Sequence, residues 1–236
     1  DAERLGADVN AHTDKDHTAF HLRGRARDAV AFVGMLGDIV RDSTFPEAEL
    51  EREREVLLHE YAEIDDDAME TAFKLFDKAC YGEHPAARPV IGSRANIRRF
   101  TRDELVAHVE RLFTGANTIV AVAGDVDPVR VVDAVRSAFG DMPRGADNRI
   151  DPPGYVGGVR VRRLSGSSQA HVVLGFPVPP LTDEHHAFAV AAALLGEGMS
   201  SPLRDRLRER RGLVYHADCW TDVRDCYGQF VIEAST

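Results

Sequence analysis

The feature that most constrains this chain is a weak internal repeat. Arg4-Leu5-Gly6 leads into a strand, a turn and a strand, and Arg210-Arg211-Gly212 does the same near the other end. Recurrence of one local plan calls for two similar domains. In 17–23, Thr18, Phe20 and Leu22 alternate with His17, Ala19 and His21, the period of a strand. Residues 7–13 read as its partner, with Asp14-Lys15-Asp16 as the turn. By this register the chain begins inside one copy and breaks off at a similar point in the next. The second copy has a helix before its glycine, at 201–211, where the first has only Asp1-Ala2-Glu3-Arg4. A segment upstream is therefore expected.

Between the copies, helical patterns alternate with strands in no strict order. Residues 27–42 carry Val30, Phe32, Val33, Leu36 and Ile39 on one face, and Phe45-Pro46 stops that helix. A second helix runs to Asp65-Asp66-Asp67, and a third spans 68–81. Thr101 and Glu104 form a capping box for a helix to about 113. Asn117–Ala123 reads as a buried strand and 127–139 as an amphipathic helix. After a Pro-, Gly- and Asp-rich stretch, strands are expected at 157–164 and 169–176, and helices at 182–195 and 201–211. Strands near 213–221 and 226–234 close the chain. This order predicts an α+β fold. The expected domains are 1–143, lacking its first part, and 157–236, incomplete at its end, joined by a linker at 144–156. Each would be a mixed or antiparallel sheet with helices packed on it.

Composition removes several function classes. The net charge of -10 disfavours a nucleic-acid partner, because phosphate binding wants a basic face. The basic cluster Arg204, Arg206, Arg208, Arg210 and Arg211 reads as a solvated helix face. No apolar run is long enough to span a bilayer. The three cysteines are odd in number and lack zinc-ribbon spacing, which points to a reducing, cytoplasmic setting.

Glu53 and Glu60 stand seven residues apart, two helical turns, so both carboxylates share one face. Leu50, Leu57, Tyr61 and Ile64 fall on nearly the same stripe, the one expected to face the core. Carboxylates on an apolar stripe need a cation or a metal. His59 points about 100° away from Glu60 on the helix and is not expected to ligate with it. His17 and His21 have metal-binding spacing on a helix, but on a strand they read as ordinary half-buried histidines.

Four blocks carry a resemblance. They are Gly6 to Thr13 running through His17-Thr18, Glu53 to Glu60, Arg88-Pro89-Val90-Ile91-Gly92-Ser93, and Leu207 to Tyr215. In this order they resemble the pitrilysin/insulinase superfamily of zinc peptidases, closest in style to bacterial relatives of the mitochondrial processing peptidases. The resemblance implies a clamshell of two half-barrel domains and a Zn2+-dependent endopeptidase acting on peptides or unfolded segments. It implies that Glu60 is a zinc ligand and that Glu53 supports the site behind it. Asn10 and Ala11 would lie on the strand to which substrate peptide adds. Arg208 and Tyr215 would hold substrate and polarise the scissile carbonyl. The family's His-x-x-Glu-His signature does not occur among these residues; the resemblance places it before Asp1. Two zinc ligands and the general base would therefore come from upstream. The alternatives are a non-catalytic subunit of a heterodimeric peptidase, lending Arg208 and Tyr215, and a structural relative without activity. A homo- or heterodimer is expected.

Overall fold

A computed structural model describes residues 1–236 as an α+β chain. The residues gather into two compact units, Asp1–Val56 with Arg94–Arg149, and Leu57–Ser93 with Ile150–Thr236.

The first unit opens with an antiparallel hairpin of β1 (Asp8–Thr13) and β2 (Thr18–Arg23), in the register His12↔Ala19 and Asn10↔His21. Period-two alternation sends Phe20 to the inner face, where its ring meets Phe113 edge-on at 5.9 Å. Helix α1 (Ala29–Arg41) buries Phe32, Val33 and Gly37 and packs on α6 (Pro128–Phe139). The contact is close because Gly37 has no side chain: a Cβ there would lie 3.0 Å from the Ala138 Cβ. Arg41 fastens the pair by donating to the Ala138 carbonyl and pairing with Asp141 at 2.7 Å. Helix α2 (Glu47–Asp66) begins here. Its Arg54 donates to the carbonyls of Ile97 and Phe100, tying α2 to the end of α4 (Arg94–Arg99). The expected capping box starts α5 (Arg102–Leu112) at Thr101.

In the second unit, α3 (Ala68–Tyr81) is capped by Asp67, whose carboxylate accepts from the Met69 and Glu70 amides. It lies on an antiparallel sheet of order β3-β5-β4, formed by β3 (His171–Val178), β4 (His216–Val223) and β5 (Gly228–Ser235). The core is Phe76, Cys80, Tyr81, Ala86, Ala87 and Val231, flanked by Phe73, Val173, Trp220 and Tyr227. Gly175 lets the Phe76 ring reach the sheet; a Cβ there would fall 2.5 Å from the ring's Cζ. Helix α7 (His186–Gly196) packs on β4. Before the sheet, Tyr155 donates its hydroxyl to the Gly175 carbonyl at 2.7 Å, and the Val156 amide donates to the Cys80 carbonyl at 2.7 Å.

Two expected strands do not form. Residues 118–123 and 157–164 join no ladder, and Ile119, Val159 and Val161 are 94%, 86% and 87% exposed. Both stretches have strand composition, but a strand is stable only beside a partner that takes its backbone groups. The sheets hold β1-β2 and β3-β5-β4 only, so neither stretch has that partner. The helix expected over 201–211 is a short turn, α8 (Pro202–Arg204), running into a π-helical turn at Asp205–Glu209.

Candidate functional site

Glu53 and Glu60 sit on one unbroken helix, α2, as their spacing predicts. The core-facing premise is corrected: α2 buries no residue, and both glutamates are exposed. Leu50, Leu57, Tyr61 and Ile64 are only half-buried. The reason is composition. Glu and Arg fill so much of α2 that its apolar stripe is too narrow to sink. Neighbouring acids are paired, Glu49 with Arg52 at 2.6 Å and Glu51 with Arg54 at 3.2 Å, whereas Glu53 and Glu60 take neither a cation nor a hydrogen-bond donor. Glu53 also lines a cleft of about 610 Å³ with Asp38, Pro46, Leu50, Arg52 and Leu105.

Arg208 lies in the π-helical turn, where the Arg210 amide reaches back five residues to the Asp205 carbonyl at 2.9 Å. Such turns recur at functional positions because they re-aim side chains. Gly212, at φ 59°, ends the turn and donates to the Arg208 carbonyl at 2.9 Å. Arg208 is exposed and pairs only with its neighbour Glu209, at 3.9 Å. Tyr215 extends the β4–β5 ladder, its amide donating to the Ser235 carbonyl at 2.9 Å, and its side chain is 73% exposed. Glu60, Arg208 and Tyr215 thus lie on three different elements of the second unit and share no hydrogen bond or ion pair.

Asn10 and Ala11 fall in the middle of β1, both exposed, with the Ala11 amide donating to the Asn10 side-chain oxygen at 2.8 Å. The β1 edge away from β2 takes no further strand. An extended peptide has backbone groups to meet there.

A zinc site takes three or four protein ligands. No further His, Cys or carboxylates gather with Glu60 into a metal-sized group, and His59 is turned away along the helix, so the residues present do not by themselves make such a site. The side chains that do converge are at the β1–β2 turn: Asp14, Asp16 and His17 bring one ligand atom each within 4.8 Å of one another. His12 lies beside them, its ring centre 5.5 Å from that of His17 and 5.8 Å from that of His21. All three rings are exposed, which corrects the half-buried reading. The neighbours of His12 lie across the hairpin, where spacing along the sequence does not show them. The signal was the turn itself, which sets the register and puts 12, 17 and 21 on one face.

Family comparison agrees with the sequence blocks. Residues 1–94 match the insulinase family, peptidase family M16, and residues 99–236 match the peptidase M16 inactive domain. An uncharacterised zinc protease of Mycobacterium leprae is 34% identical over 224 residues, covering 90% of this chain and 49% of the relative. The mitochondrial-processing peptidase subunit beta of Blastocladiella emersonii is 28% identical over 82% of this chain and 42% of its own. The crystal structure of a peptidase M16 inactive domain from Pseudomonas fluorescens superposes with a TM-score of 0.88 at 23% identity, covering 99% of this chain and 58% of that one. The chain spans about half the length of the curated relatives it matches. With its first 94 residues and its last 138 each matching a domain of that group, the chain belongs to the insulinase family of peptidases, peptidase family M16.

Proposed function

We propose that this chain is part of a zinc-dependent endopeptidase that hydrolyses peptides or unfolded segments. The observation that carries the reading is Glu60, an exposed and unpaired carboxylate two turns along one helix from Glu53, within a chain of the insulinase family. Glu60 supplies one metal ligand, and Glu53 orients the site from the same helix face. Zinc ligation needs further residues, which the family resemblance assigns to a histidine motif ahead of Asp1. The β1 strand through Asn10 and Ala11 takes substrate backbone as an added strand. Arg208 and Tyr215 are exposed donors suited to hold a peptide carbonyl and to stabilise charge developing on it.

The test is metal content with activity on unfolded peptides, measured on the whole protein. About one zinc per chain and activity lost to a chelator are expected. Glu60→Gln should lower both zinc content and turnover. Normal zinc and normal turnover in that variant would sink the assignment.

A second reading has specific support. Residues 99–236 match a domain described as inactive, and one relative is named as a subunit. On this reading the chain lends Arg208 and Tyr215 to a partner's zinc site. Peptidase activity that appears only on adding a second protein would favour it. No helix is long and apolar enough to cross a membrane.

A further inference from the structure

We propose that the cavity between α3 and the outer edge of β3 binds an extended peptide segment carrying acidic side chains. The cavity, about 720 Å³, has the size of a ligand pocket and is walled by α3, by β3 and by residues 157–164. β3 pairs with β5 alone. Ala170 and Thr236 exchange both backbone bonds, at 2.7 and 2.9 Å. The alternation of an antiparallel ladder therefore turns residues 172, 174 and 176 towards β5 and 171, 173 and 175 outward. The Tyr155 hydroxyl meets the Gly175 carbonyl on that outer edge. The amides and carbonyls of His171 and Val173, and the Gly175 amide, face outward with no strand to take them. From His171 to Gly175 the edge runs roughly 13 Å at about 3.3 Å per residue, room for about five residues of added strand.

The cavity also holds polar atoms without partners. Thr71 on α3 is 3% exposed, and its Oγ1 is buried with no hydrogen bond. The His171 Nδ1 is buried and unpartnered in the same cavity. A buried polar atom left unpaired is costly, so a ligand that meets it is favoured. The Thr71 hydroxyl donates to a carboxylate set between α3 and the sheet, and so does the His171 Nδ1 when it carries the proton. Beside them α3 presents Ala68, Ala72 and Leu75, which offer no competing acceptor.

Charge selects the peptide. Arg160, Arg162 and Arg163 line the cavity from the 157–164 wall and are exposed. Glu83, the acid whose charge reaches Arg160, is itself held by Lys78 at 2.6 Å. In a chain of net charge -10 this wall is a local reversal of sign, complementary to an acidic partner and repelling a basic one. A free anion would meet the arginines but not the strand edge, whereas an extended acidic peptide meets both. The site uses neither Glu60, Arg208 and Tyr215 nor the β1 edge, so it stands or falls independently of the peptidase reading.

The experiment is fluorescence anisotropy on the whole protein, with chelator present so that the probe is not cleaved. The probe is a short labelled peptide of alternating glutamate and valine. It should bind, more weakly as salt rises. The lysine–valine counterpart should not bind, and N-methylation of alternate backbone amides should weaken binding about tenfold. Arg160→Gln combined with Arg162→Gln should also weaken it about tenfold, with an unchanged unfolding midpoint because both side chains are exposed. Thr71→Val removes the unpaired hydroxyl, so it should weaken binding while leaving the protein no less stable, a split that a purely structural role does not produce. Hydrogen exchange should slow at residues 171–175 when the peptide binds. The proposal is overturned if the glutamate peptide binds no better than the lysine peptide, or if the N-methylated form binds within about twofold of the parent peptide. Slow exchange along both 157–164 and 171–175 in the protein alone, with no peptide bound, also overturns it, because that stretch then takes the edge itself. Exchange that slows at residues 8–13 and not at 171–175 overturns it as well, and leaves the peptidase reading standing.

Discussion

The Tyr155 hydroxyl donates to the Gly175 carbonyl at 2.7 Å, joining the segment before the sheet to the middle of β3. Its oxygen also receives the Cys80 thiol at 3.7 Å, and burial together with that thiol pushes its pKa up to about 12. Tyr155→Phe keeps the ring against Tyr81 and removes only the donor. A loss of about 1 kcal/mol is expected, read as a lower urea midpoint at unchanged slope.

Gly196 closes α7 against β4. In a helix, replacing glycine by alanine usually stabilises by up to about 1 kcal/mol. Here the new Cβ would fall 2.5 Å from the Cys219 amide nitrogen, a backbone atom that cannot rotate away. The clash outweighs the propensity gain, and Gly196→Ala should destabilise by about 1–3 kcal/mol. Chemical denaturation checks the sign; a stabilised variant would mean that α7 does not pack so closely.

Glu104 has its pKa held below 4.5, first by the hydrogen bond from the Thr101 amide and then by Arg99. A depressed carboxylate pKa contributes stability that is present above the unfolded value and lost as pH falls through the folded one. The parent should therefore be more stable than Glu104→Gln at pH 6, and the difference should shrink as pH drops below 4.5. Parallel unfolding curves from pH 6 down to 3 decide it.

Cys80 and Cys219 are buried, and burial raises both thiols, Cys219 to about 11. Thiolate is the nucleophile, so these two should resist iodoacetamide at pH 8. Mass spectrometry of the native protein should find label at the half-exposed Cys226 alone, and at all three sites after unfolding.

Tyr215 is an exposed side chain at the head of β4, so its hydroxyl can be removed without touching a core. If it stabilises charge on substrate, Tyr215→Phe should lower kcat about a hundredfold with an unchanged unfolding midpoint. Equal kcat would remove it from the reaction.

Local signals were legible in the sequence and long-range ones were not. The hairpin of β1 and β2 follows from alternation around Phe20, and α3 and α5 start where Asp67 and Thr101 cap them, because each signal lies within a few residues of its effect. Ladder partners for 118–123 and 157–164 depend on what lies alongside in space, which periodicity does not encode. The Glu53 and Glu60 spacing gave their shared helix, but not their exposure, since burial depends on what packs against α2. The π turn holding Arg208 has no composition of its own to distinguish it from ordinary helix.

The two unpaired apolar stretches differ in one respect that governs solubility. Val159 and Val161 are interleaved with Arg160 and Arg162 and followed by Arg163, so two copies approaching there bring like charges together. Thr118-Ile119-Val120-Ala121-Val122-Ala123 contains no charge, no proline and no glycine, the makeup of a self-associating segment. A concentrated solution of this chain would therefore begin to aggregate at Ile119, and one lysine in its place would delay that onset.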